Sequence, residues 1–348
     1  MDNNDELNKV HIDELVKKIL DEPNEVSNYT KLANVYLLNK DYDSALDILK
    51  QLLNIAPDNV DAMINIGGIL FFKGLFDEAI NYYTRVLELN DKEAIVYLNI
   101  ANTYAELHNY NKALEMYNKA LALSPNDINI FLAIAQLHKD NKNFIDALIN
   151  YKKAYAIDEN NEDVLLGYSS ILLKLKKFDD ALEIAQSAYE LQPENIQFIL
   201  NLATVYVELK DFEKADEFFD KAKNIDNLYY STYIYQGLSY QDRQDYTKAI
   251  EAFMQAIEVN PIYTNAYILM TDILLQQDKR DGAISILNKA LKTVKHTSKI
   301  YAQLANIFAT EKNIKEVIKN YREALRANPN FAEYKLQFVD ALEEYLKG

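Results

Sequence analysis

The sequence predicts an all-α solenoid, because three columns of residues recur along the chain at a fixed step of 34 residues. The first column is alanine in every copy but the last: Ala45, Ala79, Ala113, Ala147, Ala181, Ala215, Ala249, Ala283 and Val317. The second is aromatic until its last two copies: Tyr42, Phe76, Tyr110, Phe144, Phe178, Phe212, Tyr246, Arg280 and Ile314. The third holds small residues: Ala33, Gly67, Ala101, Ala135, Ser169, Ala203, Gly237, Thr271 and Ala305. A period of this length is typical of stacked repeats that bury their apolar faces against their neighbours.

Each period contains the pattern of two helices. In the third copy, Tyr97, Ala101 and Tyr104 share one helical face, and Ala113 and Tyr117 start a second such face after a short break. All six prolines occupy one register, in which a missing N–H donor ends a helix. The predicted repeats span residues 26–59, 60–93, 94–127, 128–161, 162–195, 196–229, 230–263, 264–297 and 298–331.

Both ends of the repeat array are predicted to carry a capping helix, because a terminal repeat has a face without a neighbour. Residues 1–25 comprise an acidic N-terminus and a leading helix, with Leu15 and Ile19 facing inward. Residues 332–348 form the trailing helix, whose predicted inward residues are Phe338, Val339 and Leu342. An intact trailing cap leads us to expect a complete chain.

The eighth repeat, 264–297, departs most from the columns. Arg280 stands in the aromatic column, Thr271 in the small column and Lys295 in the proline register. Two interpretations stay open, a flexible joint and ordinary divergence between repeats.

Composition and charge narrow the classes of function. The chain has 37 Lys and Arg against 53 Asp and Glu, a net charge of −16, which disfavours binding to phosphate backbones. Basic partners and simple solubility are both compatible with this acidity. The start lacks a signal pattern and no apolar run reaches membrane-spanning length, so we expect a cytoplasmic protein without membrane or nucleic-acid partners.

Catalytic motifs are absent from the sequence. There is no cysteine, the four histidines lack metal-ligand spacing, and no phosphate-binding glycine loop occurs. His138 stands in the column of Tyr36, Tyr104, Tyr206 and Tyr240 and is expected to pack in the core. We therefore predict no catalytic residue, no metal site, no cofactor and no enzymatic activity.

The repeat pattern resembles that of the tetratricopeptide repeat family over residues 26–331. The third copy carries the pattern at Tyr97, Ile100, Ala101, Tyr104, Ala113, Tyr117, Ala120 and Pro125. The resemblance implies a right-handed α-solenoid superhelix of nine helix-turn-helix repeats. It also implies a concave groove lined by the first helix of each repeat.

Candidate groove residues lie between the packing columns of the first helices. The amide candidates are Asn34, Asn65, Asn99, Asn102 and Asn201. The others are Gly68, Phe71, Phe72, Leu98 and Leu132. An asparagine amide can hydrogen-bond an extended backbone, an exposed aromatic pair can anchor a partner, and a glycine not needed for packing lets a backbone approach.

Two alternatives to these assignments stay open. The asparagines at 65, 99 and 201 fill only three of nine copies of their column, so they could be inherited without a ligand role. Leu98 and Leu132 belong to an apolar stripe that packing between helices could bury.

The predicted function is a non-enzymatic scaffold or adaptor that binds a peptide segment or partner protein in its groove. One alternative is a targeting or regulatory subunit of an enzyme such as a glycosyltransferase. Another is a self-assembling structural protein. The sequence leaves the oligomeric state open between a monomer and a weak dimer.

Overall fold

The computed structural model describes the backbone of residues 3–329 and 332–347, and the side chains of residues 11–329, 334–343, 345 and 346. These residues form twenty α-helices, and none of them forms a strand. The predicted limits at residues 331 and 348 lie outside the described residues, as do residues 1 and 2. The predicted all-α fold is confirmed.

The helices alternate between two kinds, with a single helix at each end. The end helices are α1 (Asn3–Asp21) and α20 (Ala332–Lys347). The first helices of the predicted repeats are α2 (Val26–Leu38), α4 (Val60–Phe72), α6 (Ala94–Glu106), α8 (Ile128–Asp140), α10 (Glu162–Lys174), α12 (Ile196–Glu208), α14 (Tyr230–Asp242), α16 (Thr264–Gln276) and α18 (Ser298–Thr310). The second helices are α3 (Tyr42–Ile55), α5 (Phe76–Leu89), α7 (Tyr110–Leu123), α9 (Phe144–Ile157), α11 (Phe178–Leu191), α13 (Phe212–Ile225), α15 (Tyr246–Val259), α17 (Arg280–Leu291) and α19 (Ile314–Ala327). The division into nine repeats stays a sequence prediction, whose boundaries fall at the starts of the first helices.

The turn inside each predicted repeat is set by local chemistry. A residue with positive φ precedes the cap of the second helix, for example Lys40 with φ 58° and Gly74 with φ 73°. Several caps then satisfy the free N–H groups of the helix: the Asp41 carboxylate accepts from Ser44 N, and Asn109 Oδ1 accepts from Lys112 N. The chain therefore reverses within a few residues, and the second helix packs back on the first.

The chain divides into two compact units, residues 1–171 and 172–348. In the first unit, successive helices from α1 to α9 pack against each other, and α4 and α6 also contact the next first helix, α6 and α8 respectively. In the second unit, successive helices from α11 to α20 pack in the same way, with additional contacts of α12 with α14 and of α16 with α18. Packing only between near neighbours is the organisation of an α-solenoid.

The alanine column lies in the core of both units. All eight of its alanines are fully buried, and Val317 is 3% exposed. Packing also requires small residues in the small column. For example, a Cβ on Gly67 would lie 2.4 Å from Cε1 of Tyr83, far inside van der Waals contact. Larger residues in these columns would separate the paired helices.

The end helices follow the sequence prediction in part. Leu15 and Ile19 are buried, as predicted. In α20, Phe338 packs against a core cluster that contains Tyr334 and Ala341. Val339, predicted to face inward, is instead 48% exposed, because the inward face follows the helical spacing 334, 338 and 341. Leu342 is half-buried.

Candidate functional site

A pocket of about 380 Å³ opens between the first helices of the first unit. We call it the amide pocket. Its apolar lining consists of Leu37, Tyr42, Ile64, Ile69, Phe71 and Phe72. Its remaining lining residues are Asn65, Gly68, Tyr83, Asn99 and Asn102. The pocket is thus built from three consecutive first helices, α2, α4 and α6, with single residues from α3 and α5.

Two adjacent glycines in α4 have different surroundings. The space beside Gly67 is filled, because the Tyr83 ring packs against it. A Cβ on Gly68 would meet only the Tyr83 hydroxyl, at 4.0 Å. Glycine inside a helix costs roughly 0.5–1 kcal/mol relative to alanine, so packing alone gives no reason for Gly68. Its missing side chain leaves room in the pocket beside the Tyr83 hydroxyl.

The three asparagines of the pocket differ in their hydrogen bonds. Asn102 Oδ1 accepts from the Tyr117 hydroxyl at 2.7 Å, so part of this amide supports the fold. The side chains of Asn65 and Asn99 make no hydrogen bond with any described residue, and both are half-buried. Their amides are therefore available to a ligand, each with one acceptor and two donors.

The aromatic pair at the pocket edge divides into an inner and an outer ring. Phe71 is half-buried and lies 5.7 Å from the ring of Phe76, measured between centroids. Phe72 is 71% exposed and stacks on Tyr42 at 5.9 Å with an interplanar angle of 14°. The expectation of two exposed rings is therefore corrected for Phe71, which packs toward the core.

The amide pocket is electrically neutral. None of its lining residues is Lys, Arg, Asp or Glu. Burial raises the pKa of Tyr83 to about 12, so its hydroxyl stays protonated over the physiological range. A charged ligand group would lose its hydration here without gaining an ionic partner.

Comparison with family models decides the family. Tetratricopeptide repeat models match residues 24–92, 58–126 and 92–160, then 172–231 and 240–307, and finally 298–331. The chain belongs to the tetratricopeptide repeat family.

Solved tetratricopeptide repeat structures show the same fold. A tetratricopeptide repeat protein from Parabacteroides merdae ATCC 43184 is 19% identical, with a TM-score of 0.59, over 72% of this chain and 98% of that one. Yeast Tom70 is 16% identical, with a TM-score of 0.59, over 99% of this chain and 93% of that one. A search of curated proteins finds no significant match.

Six of the ten residues predicted for the tetratricopeptide repeat groove line the amide pocket: Asn65, Gly68, Phe71, Phe72, Asn99 and Asn102. Asn34 is exposed but does not line it. Asn201 lies in the second unit, where its buried Oδ1 has no hydrogen-bond partner. A role for these residues in binding stays a prediction.

The two leucines predicted for the groove surface belong largely to the core. Leu98 is 8% exposed and lies in a core cluster with Ile130 and Ile134 of α8. Leu132 is half-buried and packs beside Phe131. The neighbouring helix covers this stripe, so Leu98 is corrected from an exposed anchor to a packing residue.

Sequence reasoning missed Tyr83 and a second pocket. Tyr83 stands in a column of the second helices, whereas the groove residues were predicted from the first helices. The second pocket, of about 350 Å³, lies in the second unit and contains Tyr235, 42% exposed, and Leu238, 37% exposed. Tyr235 and Leu269 share the column of Asn65 and Asn99, so a large apolar residue in that column was the available signal.

The structure also bears on the predictions about His138, metal ligands and membrane helices. His138 is 8% exposed and hydrogen-bonds the Tyr110 hydroxyl at 2.8 Å through Nδ1, which confirms its place in the core. Within the described part of the chain, no group of three His, Cys, Asp or Glu residues could hold a metal ion. No described helix is long and apolar enough to cross a membrane.

Proposed function

We propose that this chain is a non-enzymatic scaffold that binds an extended segment of a partner protein across the first helices of repeats one to three. Membership of the tetratricopeptide repeat family supports a protein-interaction role. The observation that carries the proposed location is the convergence of six predicted groove residues on one neutral pocket.

The amide pocket suits a polypeptide segment in two respects. The unpaired amides of Asn65 and Asn99 can each bond a backbone N–H or C=O, at about 0.5–1.5 kcal/mol per bond. The apolar walls, together with the exposed ring of Phe72, can cover an apolar side chain of the segment. An aromatic contact of this kind contributes ~2 kcal/mol or more when it forms a hot spot.

A nucleic-acid strand fits this surface poorly. The chain carries a net charge of −16, and the amide pocket contains no cation to neutralise a phosphate. Nucleic-acid affinity depends on such neutralisation. A polypeptide ligand is favoured for that reason.

The proposal is tested by selecting displayed random peptides against the full chain and mapping the selected peptides by hydrogen exchange. We expect peptide addition to slow exchange in α4 and α6, Val60–Phe72 and Ala94–Glu106. Slower exchange only in α14 and α16, which line the second pocket, would move the site to the other unit. Failure to select any peptide would remove the proposed function itself.

A further inference from the structure

Two tyrosines of the second helices hydrogen-bond the residue 15 positions earlier. The Tyr117 hydroxyl donates to Asn102 Oδ1 at 2.7 Å, and the Tyr321 hydroxyl donates to Asn306 Oδ1 at 2.5 Å. Tyr83 stands in the same column, but the position 15 residues earlier is Gly68. Equivalent tyrosines in different repeats thus occur both with and without an acceptor from the chain itself.

The Tyr83 hydroxyl is left without a partner by this substitution. Tyr83 is 2% exposed, lines the amide pocket, and donates to no described residue. The residue as a whole is buried, but its hydroxyl lies beside Gly68 in the pocket, so a ligand acceptor there can use a donor that the fold leaves unused. Because the hydroxyl is protonated at neutral pH, it can donate a hydrogen bond to that acceptor.

Asn102 also has an unused donor. Its Oδ1 already accepts from Tyr117, and its Nδ2 donates to no described residue. Tyr83 and Asn102 therefore both present N–H or O–H groups to the pocket, and both lack an acceptor there.

The rim of the pocket points to an apolar occupant. Leu38 and Phe72 share one column, and they are 83% and 71% exposed. The seven later copies of that column, from Glu106 to Thr310, are all polar or charged. Large apolar side chains are exposed in this register only in the first two of the three repeats that line the pocket, and Phe72 is itself a lining residue. Such exposure is typical of a surface covered by a partner.

We propose that the amide pocket receives a neutral apolar residue of the partner segment, with Tyr83 and Asn102 donating hydrogen bonds to backbone carbonyl oxygens at that residue. The inference rests on the proposed function and adds the chemistry of the bound residue. A carboxylate could also accept these bonds, but the pocket has no cation and the chain is strongly negative, so a neutral acceptor is selected.

The test uses three small probes and the full chain. N-acetylphenylalaninamide offers an apolar ring and two neutral carbonyls, N-acetylglycinamide lacks the ring, and N-acetylphenylalanine carries a carboxylate. Binding is read from the NMR shifts of the Ile64 and Ile69 δ1 methyl groups, both of which line the pocket, with Ile234 as the reporter of the second pocket. We expect only the first probe to shift Ile64 and Ile69, with a dissociation constant of about a millimolar for a ligand of this size.

Three variants separate the hydroxyl from the pocket as a whole. Tyr83→Phe keeps the ring over Gly67 and removes only the donor, so it should weaken probe binding about 2- to 10-fold. Gly68→Asn restores the internal acceptor and fills the space beside the hydroxyl, so it should abolish the shifts. Tyr151→Phe is the matched control, a buried tyrosine of the same column outside the pocket, and should bind as the parent does.

The inference is overturned if the amide probe fails to shift Ile64 and Ile69, or if it binds Tyr83→Phe or Gly68→Asn as it binds the parent. Equal affinity for the carboxylate probe would also overturn it. In each of these cases the proposed function stands if selected peptides still slow exchange in α4 and α6, because that measurement does not depend on which residue enters the pocket.

Discussion

Three glycines lie within eight residues, and each has a different physical reason to be glycine. Replacing each one by alanine distinguishes these reasons. We expect Gly68→Ala to raise the free energy of unfolding by roughly 0.5–1 kcal/mol, because the site is helical and has room for a Cβ. Gly74→Ala should lower it by about 1 kcal/mol, because φ is +73° there. Gly67→Ala should lower it by about 1–3 kcal/mol, because the Tyr83 ring must move. Urea unfolding followed by circular dichroism measures all three, and a stabilised Gly67→Ala variant would contradict the packing described for α4 and α5.

His138 should make stability depend on pH. Burial lowers its pKa below the ordinary value of about 6.5, against a smaller raising effect of Asp146. The unfolded chain then binds the proton more readily than the folded chain, so stability is complete above about pH 6.5 and falls as the pH drops below it. His138→Tyr places the side chain found in other copies of the column, and removes this contribution.

The measurement is the loss of melting temperature between pH 7.5 and pH 5.5. We expect the loss to be smaller in His138→Tyr than in the parent, since all other titrating groups are common to both. His108→Gln is the control, because His108 is exposed. An equal loss in the parent and in His138→Tyr would show that His138 titrates alike in the folded and unfolded chains.

At the scale of the helix, the sequence predicts starts and packing columns well and surfaces less well. The columns identify the alanines that the fold buries, because a helix pair tolerates only small residues there. They did not identify the burial of Leu98, which depends on how closely α8 lies against α6. Tyr83 was missed for a related reason: its hydroxyl reaches the groove from the second helix, past a glycine of the first, and single-column reasoning does not show that contact.

We expect the eighth predicted repeat to be the weakest element of the second unit. Its second helix, α17, has 12 residues, whereas the other second helices have 14, so the connection to α18 spans residues 292–297. Two buried oxygens of the repeat, Thr271 Oγ1 and Gln277 Oε1, have no hydrogen-bond partner. Each such group costs about 1–3 kcal/mol.

Hydrogen exchange should therefore be faster in residues 264–297 than in residues 94–127, which form the third repeat. Stability in a solenoid is local, so one weak repeat opens before its neighbours. Equal protection of the two segments would favour ordinary divergence of the eighth repeat over a flexible joint.

Considered as a whole molecule, the chain combines a strongly acidic composition with a neutral pocket. The net charge of −16 acts on a partner at long range, whereas the contacts proposed for Asn65, Asn99 and Tyr83 act at close range. Salt should therefore change the rate of association more than the choice of segment. The choice of segment is proposed to be made in repeats one to three, where the amide pocket lies.

The most direct test compares the affinity of a selected peptide for two double variants. Asn65→Ala with Asn99→Ala removes two of the three amides of the pocket, and Asn81→Ala with Asn118→Ala removes two exposed amides from the second helices α5 and α7. We predict that the first pair weakens binding at least tenfold without lowering the melting temperature, because two amide bonds of about 1 kcal/mol each are lost. The second pair should bind as the parent does. Unchanged affinity in the first pair together with lost affinity in the second would place the site on the other surface and contradict the account.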